Sequence, residues 1–226
     1  MKTCFNLHTK TIAYGGCMKL YLIYILASLI AYFVGSISTS LIISKLKKKD
    51  LRAGGSKNLG ASNTTLLMGW KYGVIVGVCD ILKGTLVVVL ARLIFPDYAY
   101  LPYAVGTAAV LGHIYPCYLK FKGGKGFATY VGIILGLDWR FFLIIGVSII
   151  LITLITDYIA LGTFTTMVTF PLWLFFMSDV PWAFLIPTLA SVIIIVKHFE
   201  NIKRILKKEE LGLRASFKKK KADAEK

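Results

Sequence analysis

The sequence predicts an all-α integral membrane protein of about seven transmembrane helices, with the N-terminus outside and the C-terminus in the cytoplasm. Three observations carry this. Of 226 residues, 57% are hydrophobic, the mean hydropathy is +0.71, and the apolar residues fall in long runs. Short polar turns separate those runs. The charge is also lopsided, with 27 basic residues against 11 acidic ones, and the basic residues gather in a few loops that flank the runs. Six lie within 45–65, three within 120–125 and eleven from Lys197 onward. Seven crossings put these 20 of the 27 on one side, which the positive-inside rule makes the cytoplasm.

Taken in order, residues 1–17 are polar and lack the apolar stretch of a signal peptide. They read as an extension, and translation is expected to begin at Met18, where apolar sequence starts. The first span covers 20–46, and Gly35, Ser36, Ser38, Thr39 and Ser40 in its second half permit close helix packing. A polar loop with Lys47, Lys48, Lys49, Arg52 and Lys57 follows. The second span, 66–95, is interrupted by Lys71, Asp80 and Lys83. A charged pair inside a span is costly unless it faces a polar interior. The segment DILKG at 80–84 is therefore either part of a site or a structural ion pair three residues apart on one helix face.

Pro96 and Asp97 make a turn before the third span, 101–119. The fourth, 127–137, is short and ends at Asp138 and Arg140. Spans at 141–156, 158–178 and 182–197 follow, divided by Asp157 and by Asp179 with Pro181. Residues 18–210 form the membrane domain. Residues 211–226 form a basic cytoplasmic tail, whose lysines at 218–221 are suited to anionic lipid.

Several function classes drop out. Cys4, Cys17, Cys79 and Cys117 show no paired spacing, and His8, His113 and His198 are scattered, so neither a disulfide framework nor a metal site is implied. No Gly-x-Ser-x-Gly elbow or convincing carboxylate pair is present. The basic residues flank spans, which argues against nucleic acid as a partner. A transporter would explain Asp80 and Lys83, yet no inverted repeat is evident, and the polar clusters gather on one face.

Those clusters occupy 52–63, 112–129 and 198–204. The middle one reads GHIYPCYLKFKGGKGFAT. Its glycines allow close backbone approach and are expected to point successive N–H groups into one concavity ringed by lysines. That is phosphate-binding chemistry, although the spacing is not the Walker pattern; the bland alternative is a basic loop that only sets topology. His198 and Asn201 stand three apart on one face of a helix beyond the last span. Together the clusters suit binding phosphates and positioning a hydroxyl.

The stretch 112–129, the loop GGSKNLGASN, the pair in DILKG and the tail HFENIKRIL together resemble the bacterial acyl-phosphate:glycerol-3-phosphate acyltransferases. The resemblance covers roughly residues 18–210 and is nearly residue for residue in 112–129. It implies a seven-spanning enzyme of the bacterial plasma membrane with its site facing the cytoplasm. That enzyme would move a fatty acyl group from acyl phosphate to glycerol 3-phosphate, forming lysophosphatidic acid and phosphate. On this resemblance Gly123, Gly124 and Gly126 would take the acyl-phosphate head group, with Lys120, Lys122 and Lys125 supplying charge. Ser56, Asn58, His198 and Asn201 would hold glycerol 3-phosphate. His198 is expected either to help remove the proton of the attacking hydroxyl or only to bind phosphate. Asn63, His113, Lys83, Arg52 and Lys57 complete the expected binding set. No cofactor is implied, and the enzyme supplying acyl phosphate is an expected contact.

The chain departs from that family at several points. Lys57 replaces the glycine of Ser-Gly-Asn, and Leu66 replaces an arginine. Asp157 and Ala160 replace the arginine and serine of Arg-Tyr-x-Ser, and Ser38 replaces a proline. Lys57 or Arg52 is expected to compensate for the arginine lost at Leu66. A member that binds phosphorylated lipid precursors without turnover is the alternative.

Overall fold

The computed structural model describes residues 7–210 and Gly212, with side chains from Met18 onward. The first six residues and the rest of the basic tail lie outside the described residues. The backbone of 7–17, expected as a separate extension, continues the first helix.

Among the described residues there are nine α-helices and no strand: α1 Leu7–Ser36, α2 Thr39–Leu46, α3 Ala61–Met68, α4 Trp70–Ile94, α5 Leu101–Ile114, α6 Phe127–Leu137, α7 Trp139–Thr156, α8 Ile159–Met177 and α9 Leu185–Leu206, with a 3₁₀ turn Cys117–Leu119 between α5 and α6. Among the described residues, five stretches are long and apolar enough to cross a membrane: Met18–Leu46, α4, α7, α8 and α9. Their surfaces are inverted relative to a water-soluble protein. Leu143, Ile144, Val147 and Ile150 of α7 face outward, while Asp80, Lys83, Thr107, His113 and Thr129 are buried. That is the arrangement lipid requires.

The helices differ from the predicted spans where side chains intervene. The first span is two helices, because Ser38 takes extended backbone angles and its Oγ accepts from Leu41 N–H at 3.3 Å, starting α2 afresh. The carbonyls left free at the end of α1 are claimed from elsewhere. Tyr118 donates to Ser36 O at 2.5 Å and Lys83 to Ile37 O at 3.0 Å. Gly69, at φ 98°, divides the second span. The third ends at Ile114, since Pro116 pushes Tyr115 out of helical angles. The last runs on to Leu206, carrying His198 and Asn201 with it.

Short helices place the polar end. At 1.5 Å per residue, α5 and α6 are only ~21 Å and ~16 Å long, well under a ~30 Å hydrocarbon core. Nearly all of α5 is buried, and it packs against α1, α4, α6 and α9. Glycines bring the backbones into contact. A Cβ added at Gly35 would strike the Ala109 carbonyl, and one at Gly112 that of Tyr32. The end of α5 meets α4 at Asp80, ten residues or ~15 Å beyond Trp70. The α5–α6 connection therefore lies recessed below the start of α4.

Tyr100–Pro181, Tyr103–Ser178 and Trp173–Asp138 hydrogen bonds tie the opposite end together.

Candidate functional site

Three segments meet at the recessed end. The loop 50–60 is anchored by Leu51 and Leu59, both buried, and organised by Asn63. That side chain accepts from Ser56 N–H at 2.9 Å and donates to Leu51 O at 2.8 Å and Asn58 O at 3.1 Å. Its amide is thus spent on the loop itself. Ser56 and Lys57 are exposed and Asn58 half-buried; none of these side chains bonds to the tail. Lys57 has φ 56°, the left-handed conformation a glycine adopts without cost. Arg52 reaches across to donate to Lys122 O at 3.0 Å.

The glycine-lysine turn departs from expectation. Gly123 and Gly124 N–H groups donate to Ile114 O at 3.0 Å and His113 O at 3.1 Å. They cap the end of α5 rather than converge on a ligand. The unpaired donors lie one step later, at the start of α6. Gly126 is its N-cap at φ 88°, and the first backbone bond into the helix comes from Tyr130 N–H to Gly126 O. The N–H groups just before Tyr130 face the polar end with the helix dipole behind them, the usual arrangement for an anion. Lys120 and Lys122 are exposed at the rim and Lys125 is half-buried.

Gly124 is enclosed. A Cβ there would collide with His113 Nε2 on one side and the Leu59 carbonyl on the other. Behind it, Lys83 Nζ lies 2.7 Å from Asp80 Oδ1 and 2.8 Å from His113 Nδ1. The ion pair expected as one reading of DILKG is formed and buried, and both Lys83 and His113 serve neighbouring protein groups.

The tail closes the site. Lys125 Nζ donates to Asn201 Oδ1. Asn201 Nδ2 donates to Glu210 Oε1 at 2.6 Å, and Arg204 Nε to Glu210 Oε2 at 2.5 Å. Burial, with Arg204 nearby acting the same way, lowers Lys125 to about 8. His198 is buried against the edge of Phe127. Its Nδ1 lies 2.8 Å from Ile194 O, an acceptor only, so Nδ1 carries the proton and Nε2 is bare in the neutral ring. Arg204 lies within the 198–204 cluster, whereas sequence reasoning missed Glu210; the adjacent Glu209 and Glu210 in a basic tail were the available signal.

The tail's return depends on Lys208 at φ 58°. Lys208 N–H bonds Ile205 O and Glu209 N–H bonds Arg204 O, the pattern of a left-handed helix C-cap that favours glycine. Lys208→Gly is expected to stabilise this return by about 1 kcal/mol. Slower proteolysis after residue 206 would show it.

At the points of family departure, Leu66 is half-buried and Ala160 buried, and Asp157 ends α7 at φ 70° with Gly212 against its carboxylate. Among the described residues no His, Cys, Asp and Glu cluster fits a metal ion.

A helical membrane bundle with lysines, a bare imidazole nitrogen and a helix N-terminus at one recessed end defines a polytopic membrane protein equipped for phosphorylated ligands. Comparison narrows the class. Residues 25–208 match the family described as glycerol-3-phosphate acyltransferase. Glycerol-3-phosphate acyltransferase 1 of Oceanobacillus iheyensis is 41% identical over 206 residues, 87% of this chain and 98% of the relative. The Bacillus subtilis glycerol-3-phosphate acyltransferase is 38% identical over 183 residues, 80% of this chain and 93% of the relative. Crystal structures of PlsY, an integral membrane glycerol 3-phosphate acyltransferase, superpose with TM-scores of 0.79 for the glycerol 3-phosphate form and 0.77 for the lysophosphatidic acid form. They are 35% and 33% identical, covering 84% and 86% of this chain and 95% and 98% of theirs. The chain belongs to the glycerol-3-phosphate acyltransferase family and is a multi-pass membrane acyltransferase.

Proposed function

We propose that this protein transfers a fatty acyl group from acyl phosphate to glycerol 3-phosphate, releasing lysophosphatidic acid and inorganic phosphate as an early step of phospholipid synthesis. The observation that carries the reading is the Lys125–Asn201 bond, which joins the start of α6 to the face bearing His198. Both substrates bear a phosphate, and two sources of positive potential stand at this end: Lys125 with the first N–H groups of α6, and Arg52 with Lys122, whose carbonyl it binds, while Arg204 is paired with Glu210.

Acyl phosphate is a mixed anhydride whose phosphate is a good leaving group, so no covalent acyl-enzyme is required. The hydroxyl oxygen of glycerol 3-phosphate forms the new bond to the acyl carbon as the bond from that carbon to the phosphate oxygen breaks. His198 Nε2, bare and backed by the Ile194 carbonyl at Nδ1, accepts the hydroxyl proton, and the departing phosphate takes the bonding pair. The α6 N-terminus and Lys125 stabilise the charge gathering on that phosphate. Ser56, Asn58 and Lys57 of the first loop complete the glycerol 3-phosphate side, with Arg52 reaching the turn. The alkyl chain has a groove beside Tyr118, lined by Phe33, Ile37, Leu41 and Ile42.

Seven crossings follow if the short α5 and α6 are counted with the five long spans. The basic loops then share the end that holds the site, which the positive-inside rule assigns to the cytoplasm of a bacterial cell, with the N-terminus outside. Acyl phosphate reaches that face from a partner enzyme that makes it.

Purified protein in lipid vesicles, given palmitoyl phosphate and labelled glycerol 3-phosphate, is expected to form labelled lysophosphatidic acid. His198→Ala should lower kcat by about 10²–10⁴-fold. A folded wild type that forms no product would overturn the reading and point to Leu66 and Ala160, where arginine and serine would then be restored.

A further inference from the structure

Asp80, Lys83 and His113 form a buried polar chain that ends on the glycine turn. They are 2%, 8% and 8% exposed. Lys83 Nζ has three near neighbours: Asp80 Oδ1 at 2.7 Å, Ile37 O at 3.0 Å and His113 Nδ1 at 2.8 Å. An ammonium has three protons and no lone pair, so it can only donate: to Ile37 O and to His113 Nδ1, while Asp80 Oδ1 is held beside it as an ion pair and accepts no hydrogen bond. His113 Nδ1 is then an acceptor, and the imidazole proton resides on Nε2. Asp80 Oδ1, 3.6 Å from that Nδ1, is too far to hydrogen-bond it.

His113 Nε2 is the atom that a Cβ on Gly124 would strike, with the Leu59 carbonyl closing the other side. Gly124 therefore rests between the first loop and a ring whose orientation Lys83 sets. The same ammonium closes the α1–α2 break at Ile37. Removing the charge would release the break, the ring and the turn together. Asp80 offsets the cost of keeping that charge out of water.

We infer that Lys83 is a positioning residue for acyl transfer: its ammonium fixes His113 as the Nε2–H tautomer and so sets the placement of the turn at Gly124. It touches no substrate. His198 is held in the opposite tautomer by Ile194 O, so the two buried imidazoles give distinguishable signals. The kinetic part rests on the acyltransferase reading; the tautomer does not.

The test uses full-length protein in lipid vesicles labelled with ¹⁵N-histidine. His113, identified by its loss in His113→Gln, is expected to carry its proton on Nε2, and His198, identified through His198→Gln, on Nδ1. In Lys83→Met the His113 resonances should shift toward mixed tautomers while those of His198 stay. The same variant should lower kcat by about a hundredfold, with each KM changing less than about threefold. A wild-type His113 protonated on Nδ1 would overturn the inference, and so would a Lys83→Met protein with unchanged tautomer or unchanged kcat. If Lys83→Met does not fold, Asp80→Asn is read in the same way, and the wild-type spectrum decides the tautomer without any variant. Absence of product from wild type would remove the acyltransferase reading and leave that spectrum standing.

Discussion

Gly124→Leu is expected to reduce acyl transfer by at least about a hundredfold while the helical bundle stays assembled. Gly124 is buried, its N–H is bound to His113 O at 3.1 Å, and there is no room for a Cβ between the His113 ring and the Leu59 carbonyl. A leucine must push the turn outward. Lys125 and Gly126 follow directly in the chain, so the lysine and the first turn of α6 move with it. A displacement near 1 Å at reacting groups costs on the order of a hundredfold in rate. The bundle is held by contacts elsewhere, such as Gly35 on Ala109 and Gly132 on Ile81. Circular dichroism and gel filtration should therefore match wild type while kcat collapses. Gly124→Ala, with one methyl to accommodate, should fall between the two. Wild-type kinetics in the leucine variant would show that the turn takes no part.

Much of the architecture was legible because lipid imposes simple rules. Long apolar runs mark helices, and the clustering of lysines brought 45–65, 120–125 and the tail to one end, where Arg52 does meet Lys122 and Lys125 does meet Asn201. The break at Ile37 was not read from the sequence, because the small and polar run at 35–40 is equally compatible with one continuous, closely packed helix. It depends on one serine capping α2 and on Tyr118 and Lys83 arriving from distant segments to satisfy carbonyls. The early end of α5 had a signal in Pro116. The fate of the glycine N–H groups had none. Glycine spacing shows where backbone can approach closely, but not that the last carbonyls of α5 are the nearest acceptors. Asn63 illustrates the same limit: its place in the motif is readable, whereas its bonds to Ser56, Leu51 and Asn58 require the folded loop.

The KM for acyl phosphate is expected to rise by about tenfold as pH rises from 7 to 9, with little change in kcat at saturation. The cause is Lys125, lowered by burial to about 8. Below that value the side chain is a cation facing the α6 N-terminus, and above it a neutral amine. One pH unit above its pKa, only about a tenth of the free protein carries the charge. Phosphate monoesters have a second pKa near ~6, so substrate charge is constant over most of this range and cannot produce the effect. Bound phosphate favours the ammonium and draws the proton back, which is why the loss falls on KM rather than kcat. Lys125→Arg keeps its charge throughout and should flatten the profile, whatever its absolute rate. Lys125→Met should show a KM that is high at every pH. A wild-type KM constant from pH 7 to 9 would mean that Lys125 is committed to Asn201 and leaves the phosphate to the rim lysines and the helix N-terminus. The Lys125–Asn201 bond would then be a strut for the tail rather than part of the anion site.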